Sequence, residues 1–300
     1  TAIPTILTGE KPTTHKHLSF YYYAPDKSPF KIFKYLLLPY LPGAIVDRWR
    51  VRHILSKLVA KLYGYTGYFE MYAMPFDRIH YFGYIEKTDM FIPDGLKPVK
   101  NLADKLEERG IPYHISNWRL KEIENIEALI KEIEKGEIRF AFLYTAAMDG
   151  LLHRVTKDGK EIDEKIEWYS GQIQRVIEAV KKRYDDFYFA VLSDHGMTTL
   201  AGVVDVKSQV EGLGLKFGKD YVAVYDSTMG RFWFLKEQAK ERILNLLHQV
   251  PHSHVLSEEE KKKYFIDFEN HMYGEKYLLM DPGWQIEPCD MGIKALPAMH

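Results

Sequence analysis

Between about residue 98 and residue 193 helical and strand patterns take turns, and that alternation leaves few architectures open. "VKNLADKLEERG" and "NIEALIKEIEKG" read as helices closed by Gly110 and Gly136, and each is followed by a short apolar strand, "IPYHIS" and then "IRFAFLY". In "KEIDEKIEWYSGQIQRVIEAVKKRY" the residues Ile162, Ile166, Tyr169, Ile173, Val176, Ile177 and Val180 recur at helical spacing, and the strand pattern "FYFAVLS" comes next. Strands separated by helices of this length predict an α/β fold with a mostly parallel central sheet and helices on both faces.

With 300 residues, 46% hydrophobic and 28% charged, the chain has the size of one large α/β domain with insertions. A net charge of -1 argues against a general nucleic-acid binder. The single cysteine, Cys289, excludes an intrachain disulfide framework and a Cys-rich zinc module, and fits a reducing compartment. The chain starts at Thr1 with no signal-peptide pattern and stops at His300, which reads as a piece of a longer protein, incomplete at both ends. Its most apolar early stretch, 32–46, carries Lys34, Pro39 and Pro42 and falls short of the ~20 uncharged residues of a membrane span. The expected location is the cytoplasm, with the membrane surface as an alternative.

In parallel sheets, ligands bind beyond the carboxyl ends of the strands. Two such ends carry an acid with an imidazole. "FAVLSDHGMTT" places Asp194 and His195 after one strand, and "FAFLYTAAMDGLLH" places Asp149 and His153 after another. Asp149 and His153 are four residues apart, so on a helix both face one ion. Each residue has a plainer alternative: Asp-His-Gly forms turns, Asp149 caps a helix, and an isolated histidine is usually a surface residue. The recurrence at two strand ends favours a metal site.

These blocks, followed by the terminal "AMH", resemble the three metal-ligand blocks of the alkaline phosphatase superfamily, most closely its type I phosphodiesterase/nucleotide pyrophosphatase branch. The resemblance implies an alkaline phosphatase-like fold and two zinc ions about 4 Å apart, with manganese as an alternative occupant. Asp149, His153 and His300 would hold the first ion; Asp194 and His195 would hold the second. Mixed imidazole and carboxylate ligation suits zinc better than the oxygen-ligated calcium of the related sulfatases. "TAIPTILTG" is similar to the tail of the family's nucleophile block, whose hydroxyl would fall two positions upstream of Thr1, leaving Thr1 a weak candidate nucleophile. The Asp that ends the family's first strand and completes the second metal site would also lie upstream. The implied activity is hydrolysis of phosphodiester or pyrophosphate bonds, or of phosphomonoesters, through a phospho-enzyme intermediate. The substrate would be a small nucleotide, sugar or lipid phosphate ester. Since two participants would lie outside it, the 300-residue piece alone is expected to be inactive.

Two regions interrupt the alternation. Residues 20–97 read as an aromatic and basic insertion. Within it, Ile45, Trp49, Leu55, Leu58, Val59 and Leu62 define one helical face, with Arg48, Arg50, Arg52, Lys57 and Lys61 elsewhere. The expected role is packing on the sheet, and residues 43–63 are the alternative site of peripheral membrane contact. Residues 203–285 read as a small α+β cap, in which Arg231 is expected to be an exposed strand residue. His15, His17, His252 and His254 are expected in loops, the last two without a matching acid. Alternative functions are a transferase acting on a sugar or lipid acceptor, and a non-catalytic protein that binds metal or membrane.

Overall fold

The computed structural model describes residues 2–35 and 47–300. Thr1 and residues 36–46, with Ile45 and much of the apolar stretch, lie outside the described residues. The first part contains α1 (Ala2–Thr8), α2 (Pro12–His15), β1 (Tyr21–Tyr23), α3 (Trp49–Tyr63) and β2 (Phe82–Tyr84). The alternating part follows as α4 (Leu102–Glu108), β3 (Tyr113–Ile115), α5 (Glu122–Lys135), β4 (Phe140–Phe142), α6 (Ala147–Val155) and α7 (Lys160–Arg183). The last part holds β5 (Thr198–Thr199), β6 (Gly202–Val204), α8 (Val206–Glu211), β7 (Tyr221–Tyr225), β8 (Met229–Phe234), α9 (Glu237–Leu247), β9 (Ser253–Val255), α10 (Glu258–Lys263), β10 (Lys276–Met280), β11 (Trp284–Ile286) and β12 (Ala298–Met299).

The fold is mixed α/β. Helix α4 starts at a capping box, in which the Asn101 side chain accepts from the Asp104 amide and the Asp104 carboxylate accepts from the Asn101 amide. Gly110 and Gly136 adopt φ of 62° and 75°, the left-handed turns that let the chain leave α4 and α5. Ile126, Leu129 and Ile133 of α5 pack against Val176 and Ala179 of α7. Strands β3 and β4 pair in parallel, as do β6 and β11. The largest sheet, however, is antiparallel, in the order β7-β8-β10-β9. Successive residues of its strands alternate faces. Val222, Val224 and Trp233 pack with Tyr21, Phe30 and Phe82 of the aromatic region, whereas Ala223, Tyr225 and Phe232 pack with Ile243 and Leu247 of α9.

Four expectations are corrected. The "FYFAVLS" segment runs without strand assignment, with Tyr188, Val191 and Leu192 exposed; an apolar strand needs partners on its edges and cover on its faces, and among the described residues none pairs with it. Arg231 is fully buried in central strand β8, where Asp226 (Nε to Oδ2, 2.7 Å), Ser19 and the Tyr21 and Tyr273 carbonyls take its protons. Pairing and complete hydrogen bonding make that burial tolerable. Helix α3 turns Val59 and, in part, Leu55 of the expected face inward, but Arg52 and Ser56 are buried with them while Trp49, Leu58 and Leu62 of that face are exposed. Arg52 is held there by Asp47 (2.6 Å) and the Met74 carbonyl (2.7 Å). Among the histidines, His15 is a buried helical residue, with Thr5 Oγ1 at 3.0 Å from its Nε2, whereas His17 does lie in a loop, buried beside it. His254 lies in β9 and has an acid partner in Glu260, at 3.1 Å.

Candidate metal centre

Three pieces of chain far apart in sequence meet at Asp149. Helix α6 carries Asp149 and His153 one turn apart, with His153 Nε2 3.4 Å from Asp149 Oδ1. Strand β12 pairs antiparallel with β5, which sets His300 beside the chain that leaves Asp194 and His195. The His195 and His300 rings stack with centroids 3.7 Å apart. His300 Nε2 lies 3.8 Å and His195 Nε2 4.0 Å from the same Asp149 Oδ1.

That oxygen is buried and has no hydrogen-bond partner, an arrangement costly enough to call for an explanation. The separations supply one. They exceed hydrogen-bond length, whereas ligand atoms about 2.0–2.1 Å from a tetrahedral zinc stand roughly 3.3 Å from one another. Donor atoms of Asp149, His153 and His300 all lie within 4.8 Å of one another, so a small closure would seat them on one ion. The ring tautomers agree. His153 Nδ1 lies 2.7 Å from the Ala298 carbonyl and His195 Nδ1 3.0 Å from the Gly196 carbonyl. A carbonyl only accepts, so each Nδ1 carries the proton and each Nε2 keeps its lone pair for a ligand role. Burial, and next the neighbouring His195, hold the His300 imidazole below its ordinary pKa, which favours the neutral, metal-binding form.

All five sequence-predicted ligands of the described chain therefore reach one locality, in unequal ways. Asp149, His153 and His300 form a triad. His195 stands at its edge. Asp194 meets His195, through Oδ2 to Nε2 at 3.4 Å and through Oδ1, which accepts the His195 amide at 3.1 Å. Thr1 lies outside the described residues.

Two nearby residues were missed from the sequence. Tyr144 follows β4, and burial, then Asp194 and Asp149, push its phenol up to about 12, so it stays a neutral hydroxyl beside both acids. Its place just past a strand end was the available signal. Glu122 of α5 supports α6 from outside: Oε1 accepts the Ala147 amide at the start of α6 (2.9 Å) and the Tyr169 hydroxyl (2.5 Å), and Oε2 pairs with Lys165 (2.6 Å). Ala146, the residue before α6, provides no side-chain cap, so Glu122 supplies one from another helix. A cap that arrives through tertiary structure leaves no local sequence signature.

The model of one family, type I phosphodiesterase/nucleotide pyrophosphatase, matches residues 1–292. No curated protein matches the sequence. Among solved structures, human ectonucleotide pyrophosphatase/phosphodiesterase 5 is similar at 14% identity and a TM-score of 0.56, over 73% of this chain and 63% of that one. The murine counterpart gives 16% and 0.57, over 71% and 62%, and an inactive variant of it in complex with AMP gives 15% and 0.54, over 71% and 62%. This chain thus spans less than two thirds of those structures, and the likeness concerns the fold.

Proposed function

The chain belongs to the type I phosphodiesterase/nucleotide pyrophosphatase family, and from that premise we propose that the protein hydrolyses phosphodiester or pyrophosphate bonds of small phosphate esters at a zinc centre built on Asp149. Nucleotides are the favoured substrate class, supported by the family description and by the AMP complex of the murine relative. The observation that carries the reading is the orphaned Asp149 Oδ1 with imidazole nitrogens of His153, His300 and His195 at 3.4, 3.8 and 4.0 Å.

Asp149, His153 and His300 would hold one ion, and Asp194 with His195 would contribute to a second; manganese is the alternative metal. When bound, such ions act as Lewis acids that stabilise charge on the attacking, leaving and non-bridging phosphate oxygens. The five residues serve as ligands and not as proton carriers. The Ala298 and Gly196 carbonyls fix the tautomers, while Glu122 and Lys165 hold α6 in place. Tyr144, kept neutral, offers a hydroxyl donor beside the carboxylates. The route proposed is a double displacement through a phosphorylated hydroxyl.

The test is turnover of bis(p-nitrophenyl) phosphate by the full-length protein, stripped of metal and then reconstituted with zinc or manganese, beside Asp149→Asn. Metal-restored turnover that Asp149→Asn loses would support the proposal. Equal turnover by the stripped protein, or by the variant, would refute it.

A further inference from the structure

Helix α3 has two lives. Its inner face is fixed by polar contacts: Arg52 to Asp47, His53 to Glu70 (2.7 Å) and Ser56 to Glu70 (2.7 Å). Its outer face presents Ile54, Leu58 and Leu62 at intervals of four residues, with 58%, 58% and 68% of their surface exposed, and Trp49 stands 70% exposed at the helix start. Residues four apart form one row along a helix, so these aliphatic side chains make a continuous stripe. Beside it run Arg50, Lys57 and Lys61, all exposed and without an ion pair among the described residues. The helix contains no Asp or Glu, and the preceding segment 36–46 has no charged residue in its sequence. Next to α3, Phe33 packs on Phe76, over which the Arg52 guanidinium lies at 4.4 Å; Phe33 belongs to a short turn whose neighbours Ile32 and Tyr35 are 44% and 81% exposed.

We propose that this face of α3 docks on the surface of an anionic lipid bilayer, with Ile54, Leu58 and Leu62 entering the headgroup region while Arg50, Lys57 and Lys61 meet lipid phosphates. An exposed aliphatic row flanked by cations without an ion pair among the described residues, with Asp47 and Glu70 engaged by Arg52, His53 and Ser56, has the charge complement of such a surface. Long cationic side chains can extend to the phosphate level while their stems follow the apolar row. Interfacial binding of this kind is peripheral, and among the described residues no helix is long and apolar enough to cross a membrane.

The experiment is flotation of the full-length protein with vesicles of neutral phosphatidylcholine, and with vesicles carrying about one third phosphatidylglycerol, at low and high salt. The protein should float with the anionic vesicles only and be released at high salt. Leu58→Glu combined with Leu62→Glu should abolish flotation. Lys57→Ser combined with Lys61→Ser should lower the partition coefficient about 30-fold, at roughly fivefold per cation near the surface. Far-UV circular dichroism checks that both variants fold, and because all four side chains are exposed the lysine pair provides a second reading if the leucine pair does not. Failure to float with anionic vesicles, or flotation unchanged in both variants, would overturn the proposal. So would self-association lost in the leucine variant without any vesicle binding, which would identify a second copy of the chain as the occupant.

Discussion

Replacing Glu122 tests whether the helix that carries Asp149 and His153 is held in place from outside. In Glu122→Ala three partners lose their acceptor at once: the Ala147 amide, the Tyr169 hydroxyl and the Lys165 ammonium. Both charged side chains are well covered, Glu122 at 13% and Lys165 at 21% exposure, so water restores only part of what is removed. A lost cap costs about 1 kcal/mol, and a covered polar group left unpaired costs about 1–2 kcal/mol. The expected destabilisation is therefore ~3 kcal/mol. Glu122→Gln keeps a neutral oxygen for Ala147 and Tyr169 and loses the charge facing Lys165, for an expected ~1 kcal/mol. Urea unfolding measures both values, and zinc competition against a chelator shows whether looser support at α6 lowers affinity, by about tenfold or more in the alanine variant. A loss below about 1 kcal/mol in Glu122→Ala, together with unchanged zinc affinity, would refute the reasoning.

Removing Arg231 leaves the Asp226 carboxylate and two carbonyls facing a buried void, so Arg231→Met should destabilise by about 3–5 kcal/mol in urea unfolding; Arg231→Lys should recover only part, since an ammonium cannot span the same partners. His153→Ala removes one ligand nitrogen and the anchor to the Ala298 carbonyl, and should lower zinc affinity at least tenfold in chelator competition while the urea midpoint of the metal-free protein moves little. Acidification is expected to destabilise the fold through buried histidines. His15 is lowered to about 4, by burial first and then by His17, and burial also lowers His17, His80 and His114. With folded values below unfolded ones, the unfolded chain binds more protons, so this stability is present above pH ~6.5 and is lost as pH falls toward 4. Glu86, raised to about 7 by burial, works in the opposite sense, since its contribution is lost as pH rises from ~4.5 through 7. Denaturation followed across this range should show His15→Asn with a shallower acid limb; an unchanged limb would remove His15 from that role.

How much of this was legible in the sequence depended on whether a signal was local. Helices α4, α5 and α7 were legible because their apolar periodicity and the glycines that end two of them belong to each segment alone. Asp149 and His153 were legible for the same reason, since four residues on one helix fix their relation before anything else folds. The exposed segment 187–193 has strand composition, but a strand is a property of a pair. Helix α3 shows the limit of amphipathicity, because Arg52 and Ser56 turn inward only when Asp47, Met74 and Glu70 stand ready to receive them. Arg231 was hidden likewise, its partners lying at Asp226, Ser19, Tyr21 and Tyr273. The stack of His195 on His300 depends on the β5–β12 pairing, which no spacing rule specifies.

The decisive measurement is anomalous scattering at the zinc edge from crystals of the full-length protein grown with zinc. A peak bonded to Asp149 Oδ1, His153 Nε2 and His300 Nε2 at about 2.0–2.2 Å is the expected result. A zinc-containing crystal with no peak at Asp149 would contradict the metal centre, and with it the proposed hydrolysis.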